Sequence, residues 1–221
     1  MNKKLFISTI SLVILLMGCA HLPIRSISRQ ETQVVLDDFQ VRLGDKYEIL
    51  SSVVFKYKFF TLSSLGLTSI DLPKDYLAVA GITPAGITLF KIVSEKGKII
   101  HSFVIPELEK RGDVAKAVSG NIRDIYFDLT PGQLISMVSK GDKLYLKTLV
   151  SDGAQNEYVF SEKDRTLLEK RLYKNGKLSW NIYYKNWFAD SSGKIHPKDI
   201  RLLHREYKYQ LLLNLKEAKP L

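Results

Sequence analysis

The chain has 221 residues, is 45% hydrophobic and 25% charged, and carries a net charge of +10 at neutral pH. This balance excludes a disordered or collagen-like polymer and fits a folded domain. Cys19 is the only cysteine, so no internal disulfide can staple the fold, and stability must come from packing and sheet hydrogen bonds.

The first element is a leader. Lys3 and Lys4 precede an uncharged apolar run, LFISTISLVILLMGC, that ends at Cys19. A positive n-region, an apolar h-region and a small residue before the cleavage point make a secretory signal peptide. Read as a helix, residues 5–17 reach about 20 Å, too short for a hydrocarbon core about 30 Å thick. Leu16-Met17-Gly18-Cys19 resembles the lipobox of bacterial lipoproteins, in which the cysteine thiol receives a diacylglyceryl group and becomes the acylated N-terminus. Residues 1–18 are therefore expected to be a signal peptide and Cys19 a lipid anchor. Ala20 after the cysteine resembles an outer-membrane address, since an Asp there favours inner-membrane retention in enterobacteria. Residues 19–44 read as the lipidated N-terminus and a tether, because His21-Leu22-Pro23 breaks any helix and the rest is polar. The basic balance suits an anionic membrane surface. Export, and acidic residues interspersed along the chain, argue against a nucleic-acid partner.

Residues 45–221 read as one domain. Residues 53–60 form the first clear strand: Phe55, Tyr57 and Phe59 alternate with Lys56 and Lys58, which sets aromatics against lysines on opposite faces. Residues 61–71 lack a clear period and read as a covering loop with Leu65 and Leu67. Residues 76–82 and 87–93 are strands about the turn Thr83-Pro84-Ala85-Gly86, and residues 98–105 make a third, giving an antiparallel meander. Asp113 caps an amphipathic helix through Ile125, with Val114, Ala117, Val118 and Ile122 spaced by three and four. Residues 131–140 suggest a shorter second helix. Strands return at 144–150 and 157–161, and Asn175-Gly176 joins residues 167–173 to 178–184 as a type I′ hairpin. Leu178, Trp180, Ile182 and Tyr184 share a face. Residues 200–203 and 207–215 close the chain. With no βαβ rhythm, the order predicts a mainly β, α+β fold: a strongly curved antiparallel sheet, a half-barrel, with one or two helices on its concave side.

Two segments carry a family likeness. YLAVAGITPAGITLFKI, residues 76–92, and EKRLYKNGKLSWNIYYKNWFADSSGKIHPKDIRLLHREYKYQLLLNLKE, residues 169–217, resemble the central hairpin and the C-terminal half of LolA/LolB-like lipoproteins, either LolB-type or a related group of uncharacterised outer-membrane lipoproteins with a similar Gly-containing turn and tyrosine-bearing last strand. That resemblance implies an incomplete barrel enclosing an apolar cavity under a helical lid. It also implies that Phe55, Tyr57, Trp180, Ile182 and Tyr184 line the cavity, although the same residues would equally pack as a core. In LolB-type proteins, which receive lipoproteins from LolA and insert them into the outer membrane, a leucine protrudes from the central turn. Pro84, Ala85 and Gly86 match that membrane-facing turn, and Ala85 offers little of the apolar surface of such a wedge.

Motifs for chemistry are lacking in the sequence. His21, His101, His196 and His204 have no metal-ligand spacing, there is no Gly-x-Ser-x-Gly, and the glycines mark turns. The sequence thus predicts a non-enzymatic lipoprotein of the outer membrane's periplasmic face that needs no cofactor. Its expected role is to bind a lipid or an acylated protein in envelope transport or assembly. The alternative is an adaptor lipoprotein with a packed core and an envelope-protein partner; an exported hydrolase ranks third.

Overall fold

The computed structural model describes residues 24–150 and 153–221. The leader and Cys19 lie outside the described residues. One antiparallel sheet of thirteen strands runs through them: β1 Ile24–Ser26, β2 Lys46–Tyr57, β3 Phe60–Asp71, β4 Tyr76–Ile82, β5 Thr88–Glu95, β6 Lys98–Val104, β7 Leu134–Lys140, β8 Lys143–Leu149, β9 Gln155–Ser161, β10 Leu167–Lys174, β11 Lys177–Ala189, β12 Ile195–His204 and β13 Tyr209–Pro220. Three helices join them: α1 Arg29–Arg42, α2 Pro106–Glu109 and α3 Val114–Tyr126. The spatial order is β1-β7-β8-β9-β10-β11-β12-β13-β2-β3-β4-β5-β6. β1 and β6 are the edges. The sheet curves without closing, which is the half-barrel read from the sequence.

The concave face follows from register. Ile182 lies opposite Leu202, which lies opposite Leu211, which lies opposite Phe55. Across β2 and β3, Tyr47 faces Ile70 and Ile49 faces Thr68. Helices α1 and α3 cover this face. α1 buries Thr32, Val35, Leu36 and Phe39, a three-and-four spacing. The Phe39 ring meets Phe160 at 5.2 Å and Trp187 at 5.4 Å, both edge to face. α3 buries Ser119, Ile122, Ile125 and Tyr126, and Asp113 accepts from the Lys116 amide as its cap.

Four sequence expectations are corrected. Residues 29–42 are a helix and no tether. Ser28 and Glu31 form a capping box, each side chain closing on the other's amide, and the apolar stripe that the composition conceals packs on the sheet. Residues 134–140 are strand β7, held between β1 and β8, because pairing on both sides outweighs weak helical spacing. Residues 60–71 form strand β3 and no covering loop. Its pattern is inverted: Ser64, Gly66 and Thr68 point inward while Leu65 and Leu67 face solvent. A Cβ on Gly66 would sit 3.0 Å from Val53 Cγ2 and 3.2 Å from Ser51 Oγ, so a side chain at this position would crowd β2. Phe59 leaves the aromatic face of β2, because the strand ends at Tyr57 and Lys58 turns with φ 52°.

The antiparallel order sorts the turns into two rims. The β2–β3, β4–β5, β8–β9, β10–β11 and β12–β13 turns share the first rim. The β3–β4, β5–β6, β7–β8, β9–β10 and β11–β12 turns share the second.

Gly81 on β4 faces Phe90 on β5, and a Cβ there would overlap the Phe90 ring. Gly81→Ala should therefore lower unfolding free energy by about 1–3 kcal/mol through overpacking. A urea melt checks this, and a midpoint equal to wild type would mean that the Phe90 ring swings away freely.

Candidate functional site

The site with the most chemistry lies where α3 ends on the concave face. Four consecutive strands bring Leu146, Tyr158, Lys170 and Ile182 side by side. Lys170 is the one charged member, and it is 3% exposed. Its ammonium donates to the Phe127 carbonyl at 3.0 Å and to the Asp124 carbonyl at 3.3 Å. These carbonyls belong to the last turn of α3, where the helix dipole is negative. The rings of Tyr158 and Trp180 flank the ammonium at 5.8 and 5.9 Å. Burial lowers the Lys170 pKa, opposed by the carboxylates of Asp124 and Asp128. Burial likewise pushes the Asp124 carboxyl up to about 6, with Lys170, Lys174 and Arg123 pulling it back. Tyr184 adds a second tie, donating from its hydroxyl to the Ile125 carbonyl at 2.8 Å. Tyr209 adds a third, to Asn121 Oδ1 at 2.6 Å. The lid helix is thus tied to β10, β11 and β13.

The residues expected to line a cavity separate along this face. Trp180, Ile182 and Tyr184 sit in the core cluster under α3. Phe55 is half-buried near the first rim, against Tyr209 and Phe60. Tyr57 stands beyond it, 38% exposed. Two adjoining pockets open at the second rim, with volumes of about 240 and 590 Å³, and share Trp187 and Ile195. Tyr184 borders the larger. Tyr47, Tyr126, Phe127 and His196 line the smaller. Both adjoin the C-terminal end of α1, through Leu43 in one and Arg42 in the other.

His196 and Asp190 organise the pocket wall. His196 Nε2 lies 2.9 Å from Asp190 Oδ2, and the Asp190 Oδ1 accepts from the Ser192 and Lys194 amides in the β11–β12 turn. Burial would raise the Asp190 pKa, but hydrogen bonds from Ser192, His196 and those amides bring it down to about 2. The pair is a turn brace. Among the described residues no group of three or more His, Asp or Glu could hold a metal ion, and no helix is long and apolar enough to cross a membrane.

Pro84, Ala85 and Gly86 are exposed at the first rim. The turn is fixed by the Thr83 amide donating to Ile87 O at 2.8 Å and the Gly86 amide to Thr83 O at 2.9 Å, with Gly86 at φ 85°. Sequence reasoning passed over Lys170, Trp187 and Phe39. The Ser28–Glu31 capping box was the available signal for α1, whereas Lys170 turns inward through a bulge between Leu172 and Tyr173 that no residue type marks.

No protein-family model matches the sequence, and no curated protein matches it. Solved structures do match the fold. A LolA superfamily protein from Nitrosomonas europaea aligns with a TM-score of 0.60 at 13% identity, covering 86% of this chain and 93% of its own. The chain has the LolA-like half-barrel fold. A putative outer membrane lipoprotein-sorting protein domain from Vibrio parahaemolyticus aligns at 0.57 and 11% identity, over 85% of this chain and 91% of that one. A DUF1329 family protein from Desulfovibrio piger aligns at 0.63 and 10% identity, over 89% and 94%. At these identities the likeness to LolA-like proteins concerns the fold.

Two measurements follow from the site. Lys170→Ala strands two carbonyls at the end of α3 and opens a cavity, so it should cost about 3–5 kcal/mol, while Lys170→Met keeps the packing and costs less; denaturant melts of the pair check the order. Asp190 has a folded pKa below its ordinary 3.8, so its contribution is complete above about pH 4 and lost as pH falls through about 2. Melting temperature should fall more steeply between those values in wild type than in Asp190→Asn, and parallel curves would remove the brace.

Proposed function

We propose that the chain is a lipoprotein anchored by acylated Cys19 to the periplasmic face of the outer membrane, and that it binds a lipid or an acylated protein beneath its helices, in envelope lipid or lipoprotein transport. The observation that carries this reading is the lidded, open half-barrel: an apolar concave face, edges that do not meet, and helices α1 and α3 laid across it. The same architecture occurs in the LolA superfamily protein and in the lipoprotein-sorting domain. An acyl chain needs an apolar lining and no catalytic group, so the proposal requires neither an enzymatic step nor a cofactor. Trp180, Ile182 and Tyr184 are proposed as the deep lining, and Phe55 and Tyr57 as its mouth at the first rim. The exposed turn Pro84-Ala85-Gly86 is proposed to face the membrane or a partner, with no bulky wedge at Ala85.

The sealed core supports a second reading. Phe160, Ile182 and Leu202 are fully buried, so cargo enters only when a helix lifts. A core that never opens would make this an adaptor that meets another envelope protein through its surface.

Native mass spectrometry of the chain from Ala20 onward separates the two. A co-purified lipid, or saturable displacement of a fluorescent fatty acid, is expected for carriage. A dry, unliganded core that ignores the fatty acid leaves the adaptor. The anchor is tested separately in cells: a palmitate analogue should label wild type and not Cys19→Ser.

A further inference from the structure

One region of the surface combines exposed aromatics with an excess of positive charge. Three neighbouring turns of the first rim meet there. The β12–β13 turn lies beside the β2–β3 turn, because Tyr209 pairs with Tyr57. The β10–β11 turn lies beside the β12–β13 turn, because Trp180 pairs with His204 and the Arg205 amide donates to Ser179 O. The three turns expose Lys56, Lys58, Lys174, Lys177, Arg205 and Lys208 against one carboxylate, Glu206. Glu206 accepts from the Ser179 hydroxyl at 3.1 Å and lies 3.9 Å from the Lys174 ammonium.

The aromatics stand among these cations. Phe59 at the β2–β3 tip is fully exposed, and Tyr207 is 62% exposed. A stack of rings runs inward from them: Tyr207 lies on His204 at 4.6 Å, His204 on Tyr209 at 4.9 Å, and Tyr209 on Phe55 at 5.4 Å. The β2–β3 hairpin also overhangs its neighbour, since β3 pairs with β4 only from Leu65 onward. Its tip therefore stands about 17 Å beyond that pairing, at about 3.3 Å per residue.

We infer that this rim docks on the surface of an anionic lipid bilayer, with Phe59 and Tyr207 entering the headgroup layer and the surrounding lysines meeting lipid phosphates. Five of the six cations are lysine, spread over three turns. Lysine is a mobile point charge, and it suits a diffuse negative surface; fixed recognition of protein carboxylates favours the arginine fork. Exposed aromatics beside lysines are the composition of interfacial anchors. The rim lies at the opposite end of the sheet from Ile24, which enters at the second rim opposite Lys140.

The whole sheet and core lie between residues 24 and 221, so the chain from Ala20 onward tests the rim without any lipid anchor. It is sedimented with vesicles of phosphatidylcholine, and of phosphatidylcholine mixed with phosphatidylglycerol, at low and high salt. The expected result is binding at least about tenfold tighter to the mixed vesicles, weakened by salt. Lys58→Glu with Lys208→Glu should lose about tenfold or more, Phe59→Ser should lose affinity at both salt levels, and Lys163→Glu on the second rim should bind as wild type. Unchanged melting curves show that these exposed substitutions leave the fold intact. Equal binding to both vesicles would overturn the inference, as would wild-type affinity in the double variant. Equal loss in Lys163→Glu would also overturn it, reducing the effect to net charge. No vesicle binding, with retention on an acidic protein, would assign the rim to a protein partner and overturn it equally.

Discussion

An open sheet with an apolar concave face cannot stay bare in water, and the rest of this structure answers that constraint. The face is thirteen strands wide, and among the described residues it has no second sheet to pack against. Helices α1 and α3 supply the missing layer. Apolar burial is strong but undirected, so it does not fix where a helix sits. The directional contacts do: Tyr184 and Lys170 grip the carbonyl end of α3, and Tyr209 grips its middle at Asn121. α1 lacks comparable polar ties to the concave face. It is held by Phe39 between two rings and, at its C-terminal end, by Arg42 donating to the Asp164 and Arg165 carbonyls, by Lys194 donating to the Val41 carbonyl at 2.7 Å and by Arg165 paired with Asp38 at 3.7 Å. The two helices are therefore unequal as lids. α3 is bolted to the concave strands, and the ties of α1 to the rest of the fold gather at its C-terminal end.

Much of this architecture was legible in the residues. Alternation gave most strands, Asp113 with its spaced apolar positions gave α3, and Asn175-Gly176 gave a hairpin whose strands lie where the signal put them. The misses share one physical cause: each local pattern was overruled by what lies across the sheet. β3 reads as a loop because its buried positions are Ser64, Gly66 and Thr68, chosen by the closeness of β2. α1 reads as a tether because its inward stripe is short and its other faces are strongly polar. Leu134–Lys140 has helical spacing only until β8 is known to lie beside it.

Lys170 shows where sequence reading stops. The Asn175-Gly176 turn sets Lys174 opposite Lys177 and Tyr173 opposite Leu178. Counting on from there would place Lys170 opposite Asn181, on the polar convex face. A bulge between Leu172 and Tyr173 shifts the register by one, so Leu172 meets Trp180 and Lys170 meets Ile182. A slip of one residue exchanges the faces of a strand. That bulge turns Lys170 inward, and it leaves Arg171 on the convex face, where it joins Glu157 and Glu169. No residue type announces it. The ammonium that holds the lid helix is a product of register, and register is decided by tertiary packing.

The inequality of the helices bears on how cargo would enter. Lifting α1 from the sheet uncovers Val35, Leu36 and Phe39, each stabilised by about 1.5–3 kcal/mol of burial. A buried methylene contributes about 0.8 kcal/mol, so roughly six to eleven methylenes of an acyl chain would replace the apolar burial of these three side chains. A long fatty chain meets that number. Lifting α3 is another matter, because an acyl chain offers no donors for the carbonyls that Lys170 and Tyr184 now satisfy, and an orphaned buried carbonyl costs about 1–3 kcal/mol. The physical asymmetry therefore names the proposed moving part: α1 swings and α3 stays. The polar ties of Arg42 and Lys194 lie at the C-terminal end of α1, beside the pockets at Trp187, so the proposed swing would hinge there and lift the N-terminal part of the helix first.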